Sequence, residues 1–561
     1  MRTLLIRALT EIEQQRVEIA RLAEENRTLR DRLASKPKSG GGSGGTSGQG
    51  ETEHDRLRQK AQAQRDGKRR RAAARAAASP SPRRRGKRGP RPPFVADETI
   101  SIEIPARERL ADARPNGWVT RRFLGIRIRR HCVLVRMREY LSPTLGRIVA
   151  TLPDGWSGEF TPDTQVTINT LNIGGMTEPK IRELFADHGV KVSAGHINNV
   201  LLATADSLRE EQFAAHCAGM ENSPFIGIDG THSTCDGEPM VCHILGNAAF
   251  TTMTTTEHKD RVTVIGVLAG RPVGHCVGDF ALAHPELGAA TREVLRVVMN
   301  EEPEITWGNE ELVALWTELR TTGLGAAKMD SFLALAMPGE GAESLRHVRE
   351  ATAGQWLRKV LACLPLLMLA DGGTNYHGIL AYLQLCWIHM LRPFSLLAEG
   401  EDSERVLREG WVLYRRICDW RDACDPLEAL AIRKEFDRVF DPLRCRDAHV
   451  RRQVNITLEH KNELLTVLDH PYAPAENNGQ ERGAKARVGK RDISGGPRSE
   501  RGLRAWDTMQ SVVGTLRKLG ISPTAFLADR IMRGRRFERL DVLVKNACIR
   551  RYGSRQATGT L

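Results

Sequence analysis

The sequence predicts an α/β protein whose buried sheet presents carboxylates at one edge. Residues 225–228 (Phe-Ile-Gly-Ile) form a short apolar run between Pro224 and Gly230, as a strand covered on both faces would, and the run ends in Asp229. A second run, residues 366–370, ends the same way in Asp371 before Gly372 and Gly373. Laid side by side and parallel, the two strands bring both acids to the carboxyl edge, where open α/β sheets place their sites. Two carboxylates about 4 Å apart repel by roughly 4 kcal/mol at an effective dielectric near 20, which favours a shared proton or a bound dication. The dication is the reading followed here; the competing one is that each Asp caps the turn after its strand. Residues 240–246 and 250–256 continue the first strand as an antiparallel meander, and 261–270 starts a crossover.

At 561 residues the chain has room for three or four domains. Residues 56–91 hold fifteen Lys and Arg against the single acid Asp66, so this segment alone accounts for the net charge of +14. Such a run cannot pack and suits a polyanion, nucleic acid above all; an acidic membrane surface is the weaker choice because no apolar face accompanies the charge. Arg69, Arg70, Arg71, Arg83, Arg84, Arg85, Lys87 and Arg88 are its densest bases and the expected DNA contacts. The eleven cysteines are scattered, the N-terminus is charged and the apolar runs are too short for a bilayer. A reducing cytoplasm without disulfides is the expectation.

In chain order, residues 1–34 read as a parallel coiled coil, with Leu5, Ile12, Ile19, Asn26 and Leu33 seven apart and Ala8, Gln15, Leu22 and Leu29 as companions. That pairing predicts a homo-oligomer; an isolated amphipathic helix docked on the body is the alternative. Residues 35–97 form a disordered Gly/Ser- and Arg-rich arm. Residues 98–155 alternate in short stretches and predict a small β-rich module, whose lone Cys132 is too little for zinc. Residues 156–215 turn helical, and Ser193 as an N-cap gives the outline of a helix-turn-helix, an outline shared by any three-helix packing unit. Residues 216–527 form the main α/β domain, with a helical insertion at about 272–359 and amphipathic helices over 380–397 and 402–450. A helical tail, 528–561, ends the chain.

A third acid lies downstream. Asn477 or Asn478 can cap a helix carrying Glu481 in its first turn, followed by Arg482, Lys485, Arg487, Lys490 and Arg491. One acid among many bases suits a metal ligand beside bound DNA phosphates; a solvated basic helix with a dipole-satisfying acid would read alike. Cys386 and His389, three apart, could face a structural zinc ion if two of Cys418, Cys424, Cys445 and His449 joined them; otherwise they are packed core, as Trp387 is expected to be.

Asn477-Asn478 with Glu481-Arg482, the following Ser494-Gly495-Gly496, and Cys386-Trp387-Ile388-His389-Met390-Leu391-Arg392 resemble the signature stretches of the insertion sequence 66 family transposases, over roughly residues 141–527. The resemblance implies an RNase H-like catalytic domain with an Asp, Asp, Glu triad: Asp229 after the first strand, Asp371 after the fourth and Glu481 on the late helix. It implies two Mg²⁺ ions, with Mn²⁺ as a substitute, on those three acids. It also implies double-stranded DNA partners (element terminal repeats and target), accessory proteins of the same element, and a nucleoid-associated place in a bacterial cytoplasm. The chain departs from the family in lacking paired Cys-x-x-Cys motifs and in a long segment between Asp229 and Asp371. That length makes Asp330 a rival second acid, although no apolar strand precedes it. The expected function is DNA transposition by two-metal phosphoryl transfer; the alternatives are an RNase H-like nuclease or resolvase, or a non-catalytic DNA-binding protein derived from a transposase.

Overall fold

The computed structural model describes residues 99, 101 and 128–553, apart from 145, 154–155, 157, 301–308, 362, 398–399 and 535. The coiled coil of 1–34, the arm of 35–97 with its eight named bases, and most of 98–127 lie outside the described residues.

Strands β1 (Glu139–Ser142) and β2 (Gly146–Val149) form an antiparallel hairpin. Helices α1 (Pro162–Ile173), α2 (Glu178–Asp187) and α3 (Ala194–Glu221) follow. Ser193 caps α3, its hydroxyl accepting the His196 N–H at 3.1 Å. The start of α3 packs with α1 and α2 around Ile168, Ile181, Ile197 and Val200, while Leu208, Ala215 and Met220 further along enter the main core. One 28-residue helix therefore belongs to both cores.

The main sheet opens with β3 (Phe225–Cys235), β4 (Glu238–Gly246) and β5 (Thr251–Thr256), an antiparallel meander. Strand β3 runs past Asp229, where the apolar pattern suggested an end. Residues 229–235 keep β4 as partner up to a turn in which Asp236 and Gly237 have φ of 52° and 86°. Helix α4 (Arg261–Ala269) leads to the two-residue pair β6 (Gly274–His275) and β7 (Leu324–Gly325) and to helices α5 (Asp279–Leu282), α6 (Ala289–Asn300), α7 (Glu310–Thr321), α8 (Ala326–Ala336) and α9 (Ala342–Val360). These enclose a core of their own around Leu295, Trp316, Phe332 and Val348.

The chain then returns to the main sheet with β8 (Leu367–Ala370), parallel to β3, and β9 (Tyr382–Leu385), parallel to β8. The sheet order is β5-β4-β3-β8-β9, a mixed sheet in a mixed α/β protein. Residues 382–385 correct the helical reading of 380–397, because four residues are too short to carry a period that separates strand from helix. The buried amide of Gln384 is satisfied by Leu385 O, Leu464 O and the Val467 N–H. Helices α10 (Trp387–Leu391), α11 (Glu401–Ala423), α12 (Pro426–Val439), α13 (Ala448–Glu459) and α14 (Lys461–Leu465) build a separate core around Trp387, Trp411, Ile432 and Phe436.

Helices α15 (Asn478–Ser494), α16 (Glu500–Leu519), α17 (Pro523–Ile531) and α18 (Leu540–Tyr552) follow, and the last three close the main core. Along α16, Thr515 Oγ1, Ser511 Oγ and Asp507 Oδ2 accept the outward N–H groups of Thr251, Met253 and Thr255 at 3.1, 2.8 and 2.7 Å. At the other margin of the sheet Thr466 donates to Leu383 O at 3.0 Å. Helix α18 buries Leu540, Val544 and Cys548 in the main core, and Glu211 of α3 accepts the Leu540 N–H and pairs with Arg530 at 2.8 Å. Among the described residues no helix is long and apolar enough to cross a membrane.

Candidate active site

The parallel register of β3 and β8 pairs Phe225 with Leu367, Ile226 with Met368 and Gly227 with Leu369. Asp229 and Asp371 each stand two residues beyond that last pair, so the two acids lie at one level of the carboxyl edge. All four residues of β8 are buried, which is why the strand reads as one unbroken apolar run. Gly372, at φ +106°, turns the chain away directly after Asp371, a conformation that favours glycine. The loop is tied back by Asn375, whose amide donates to Lys259 O at 2.8 Å, and by Arg261, which donates to Thr374 O at 3.4 Å.

Glu481 arrives from the other side. Asn477 stands at the N-cap of α15 but makes no capping bond; fully buried, its Nδ2 donates to Ile228 O at 2.7 Å. Gln480 Nε2 donates to Gly246 O at 2.6 Å. The helix start comes so close to β3 that a Cβ on Gly227 would lie 2.7 Å from Gln480 and 2.9 Å from Asn477 Oδ1, which only glycine avoids. Two amides thus tie the turn that carries Glu481 to the strands beside Asp229.

The electrostatics follow from this crowding. Asp229 is buried and accepts the Gly230 N–H at 2.8 Å. Burial first, then the charge of Asp371, with a smaller push from Glu481, raise its carboxyl to about 6 against the pull of the Gly230 N–H and Lys259. Burial and the same two aspartates raise the Tyr376 phenol as well. Asp371 Oδ1 and Glu481 Oε1 are buried with no hydrogen-bond donor. Buried carboxylate oxygens without donors fit a hard cation, which takes oxygen ligands. Asp330, the rival acid, is exposed on α8 and pairs with Arg349 at 2.8 Å.

Cys386 and His389 do meet a third metal-binding group, and it is Glu481: one ligand atom from each lies within 4.8 Å of the others. His389 Nδ1 is 3.7 Å from Glu481 Oε1. Cys418, Cys424, Cys445 and His449 join no such group, and Cys445 Sγ instead accepts a bond from Arg405 at 3.3 Å. Burial pushes the Cys386 thiol up to about 11, and its sulfur accepts the Asn477 N–H at 3.3 Å. The pair forms a wall of the acid site. Trp387 is core, its indole N–H donating to Leu464 O at 2.8 Å.

The bases of α15 divide by face. Arg482 and Lys485 are exposed. Arg487, read from sequence as a DNA contact, is fully buried: it pairs with Asp507 at 2.9 Å and donates to Thr255 Oγ1 and Ser233 Oγ at 2.9 and 3.3 Å. Lys490 donates to Asn172 Oδ1 at 2.9 Å, and Arg491 to His232 O at 2.6 Å. Lys259, whose ammonium lies over Gly230 beside Asp229, carries no signal in the sequence; it follows β5 as one charge among several.

The fold and the acids define a mixed α/β protein with a carboxylate-lined site at the edge of its sheet. No family model matches the chain. It is similar to the uncharacterized protein y4jO of Sinorhizobium fredii (strain NBRC 101917 / NGR234), with 27% identity over 319 residues that make up 56% of this chain and 94% of the relative.

Proposed function

We propose that the chain is a DNA transposase of the insertion sequence 66 type, with an RNase H-like catalytic domain that cleaves DNA at element ends and joins the freed strands to a target. The observation that carries the reading is the convergence of three acids from distant parts of the chain: Asp229 on the first strand of the main sheet, Asp371 directly after its fourth, and Glu481 on a late helix tied to the first. Among the described residues their oxygens form no cluster confined within 4.8 Å.

Asp229, Asp371 and Glu481 would hold two Mg²⁺ ions, or Mn²⁺ in their place. Bound there, such ions lower the pKa of an attacking water or 3′-hydroxyl and stabilise the leaving oxygen. The chain itself supplies placement. Asn477 and Gln480 set the height of Glu481, the Asn375 and Arg261 bonds hold the loop after Asp371, and His389 flanks Glu481. Lys259 offsets part of the negative charge at Asp229. Arg482 and Lys485, exposed on the same helix, position backbone phosphates and read no bases. The basic arm of 56–91 adds sequence-independent attraction to DNA, and the heptads of 1–34 pair copies of the chain.

The test is strand joining with labelled element ends and Mg²⁺. Joining supports the proposal. Cutting without joining makes the chain a nuclease or resolvase, and binding with neither makes it a non-catalytic DNA-binding protein.

A further inference from the structure

Helix α15 has a second working face. Gly479, Arg482, Gly483, Ala486, Lys490 and Ile493 follow helical spacing along one side, with Glu481 on the other, and line a cleft of about 590 Å³ closed by α16, β5 and the end of α1. Its size falls within the roughly 300–1,000 Å³ of small-molecule sites. Its floor is apolar, made by Ile173, Met253, Met509 and Val513, with Ile493 exposed at its rim. No Asp or Glu lines it, and none of the three acids opens into it.

Four cations line the same cleft: Arg482, Lys490, Arg517 and Lys518. Two of them are anchored and half-buried. Lys490 donates to Asn172 Oδ1 at 2.9 Å and lies 4.8 Å above the Trp506 ring; Lys518 donates to the carbonyls of Asn247 and Phe250 at 2.7 and 2.8 Å. Burial pulls Lys490 down to about 8 and Lys518 to about 7, so a bound anion would restore charge that the cleft alone disfavours. Arg482 and Arg517 are exposed at the mouth.

We propose that this cleft holds one nucleotide of a single-stranded DNA segment, its phosphate among Lys490, Lys518, Arg482 and Arg517 and its base on the apolar floor. Inorganic phosphate would leave the floor uncovered, and a single carboxylate would leave most of the four cations unmatched. A base still paired and stacked in a duplex cannot enter a concave pocket, so the nucleotide must be unpaired. The choice of DNA as the source rests on the transposase reading; the anionic and apolar halves of the cleft do not.

The experiment titrates the full-length chain, in EDTA so that no metal ion sits on the acids, with deoxyadenosine 5′-monophosphate, deoxyadenosine and inorganic phosphate in separate calorimetric runs. The nucleotide should bind at least ten-fold more tightly than either fragment. Lys490→Met, which keeps the stem and removes the ammonium, should weaken it at least ten-fold. So should Gly479→Leu, where an added Cβ meets nothing within 4 Å and the side chain has room to fill the cleft. If Gly479→Leu does not fold, Arg517→Glu at the exposed mouth takes its place. Equal affinity for phosphate and nucleotide, no nucleotide binding, or unchanged binding in the variants overturns the proposal. Because the titration reads neither cutting nor joining, the two readings fail separately. A chain that joins DNA but binds no nucleotide loses only the cleft, and one that binds nucleotide but joins nothing loses only the transposase reading.

Discussion

Asn477 donates its side-chain amide to the main-chain carbonyl of Ile228 at 2.7 Å, and this bond ties the helix of the third acid to the strand of the first. Removing it strands a buried carbonyl, at a cost of about 1–3 kcal/mol. Asn477→Ala should lose that much stability in urea melts and slow joining at least ten-fold while end binding is kept. A wild-type joining rate would mean that Glu481 is held by other contacts.

The triad itself makes the next prediction. Asp229→Asn, Asp371→Asn and Glu481→Gln each remove a metal-binding oxygen and should abolish cleavage and joining, with end binding intact in gel-shift titrations. Asp330→Asn should stay active, since its carboxylate faces solvent and Arg349. The reverse result for Asp371 and Asp330 would reassign the second acid.

Asp229 gives a pH dependence of defined sign. Its folded pKa of about 6 lies above the ordinary 3.8, so the native state holds this proton more tightly than the unfolded chain does. Metal-free stability should fall as pH rises from about 4 to 6, by an amount on the order of 2–3 kcal/mol. Asp229→Asn should therefore raise the melting temperature at pH 7.5 in EDTA and leave it nearly unchanged at pH 4. Mg²⁺ should stabilise the wild type at pH 7.5 and lose that effect below pH 6, where protons compete for the carboxylate. A metal-free melting temperature indifferent to Asp229→Asn at pH 7.5 would remove the argument.

Two bases on α15 should behave in opposite ways. Arg487→Met removes the fully buried partner of half-buried Asp507 and should cost about 3–5 kcal/mol. Lys485→Ala should change stability by less than about 0.5 kcal/mol yet flatten the salt dependence of DNA binding by about one unit of slope. Melts and salt titrations of both variants separate the fold contact from the phosphate contact.

The basic arm lies outside the described residues, and its charge count still makes a prediction. If half or more of its fifteen bases engage duplex DNA, log K should fall against log salt with a slope of at least about −6. Deleting 56–91 should remove most of that slope and leave the preference for element ends in place, resting on residues 99–208. A truncated chain with its full slope would move the electrostatic anchor elsewhere, and one that lost its preference would make the arm a reader of sequence or groove.

What the sequence disclosed depended on whether burial leaves a local pattern. Strand β8 and its acid were legible because a strand covered on both faces is apolar throughout. Strand β9 was not, since its four residues sit in a longer apolar stretch with no period of its own. Helix α15 was legible as a helix but not in its facing: bases occur all round it, and Arg487 is internal only because Asp507, on another helix, is there to receive it. The same holds for Asn477, one of two cap candidates with Asn478 in the sequence, whose tie to Ile228 depends on how closely helix and strand meet. Lys259 shows the limit, since only the folded chain brings it over Gly230.

The acceptors that α16 offers to β5 recur every fourth residue, and the N–H groups they meet recur every second. Four helical residues rise about 6.0 Å and two strand residues about 6.8 Å, so the two ladders stay in step over three rungs. The helix thereby takes the place of a sixth strand, and this margin of the sheet has no free row of donors to template pairing with another chain. Copies of this protein cannot pair strand to strand through this margin, and a change such as Ser511→Val would expose it to the edge-to-edge growth that the polar stripe of α16 prevents.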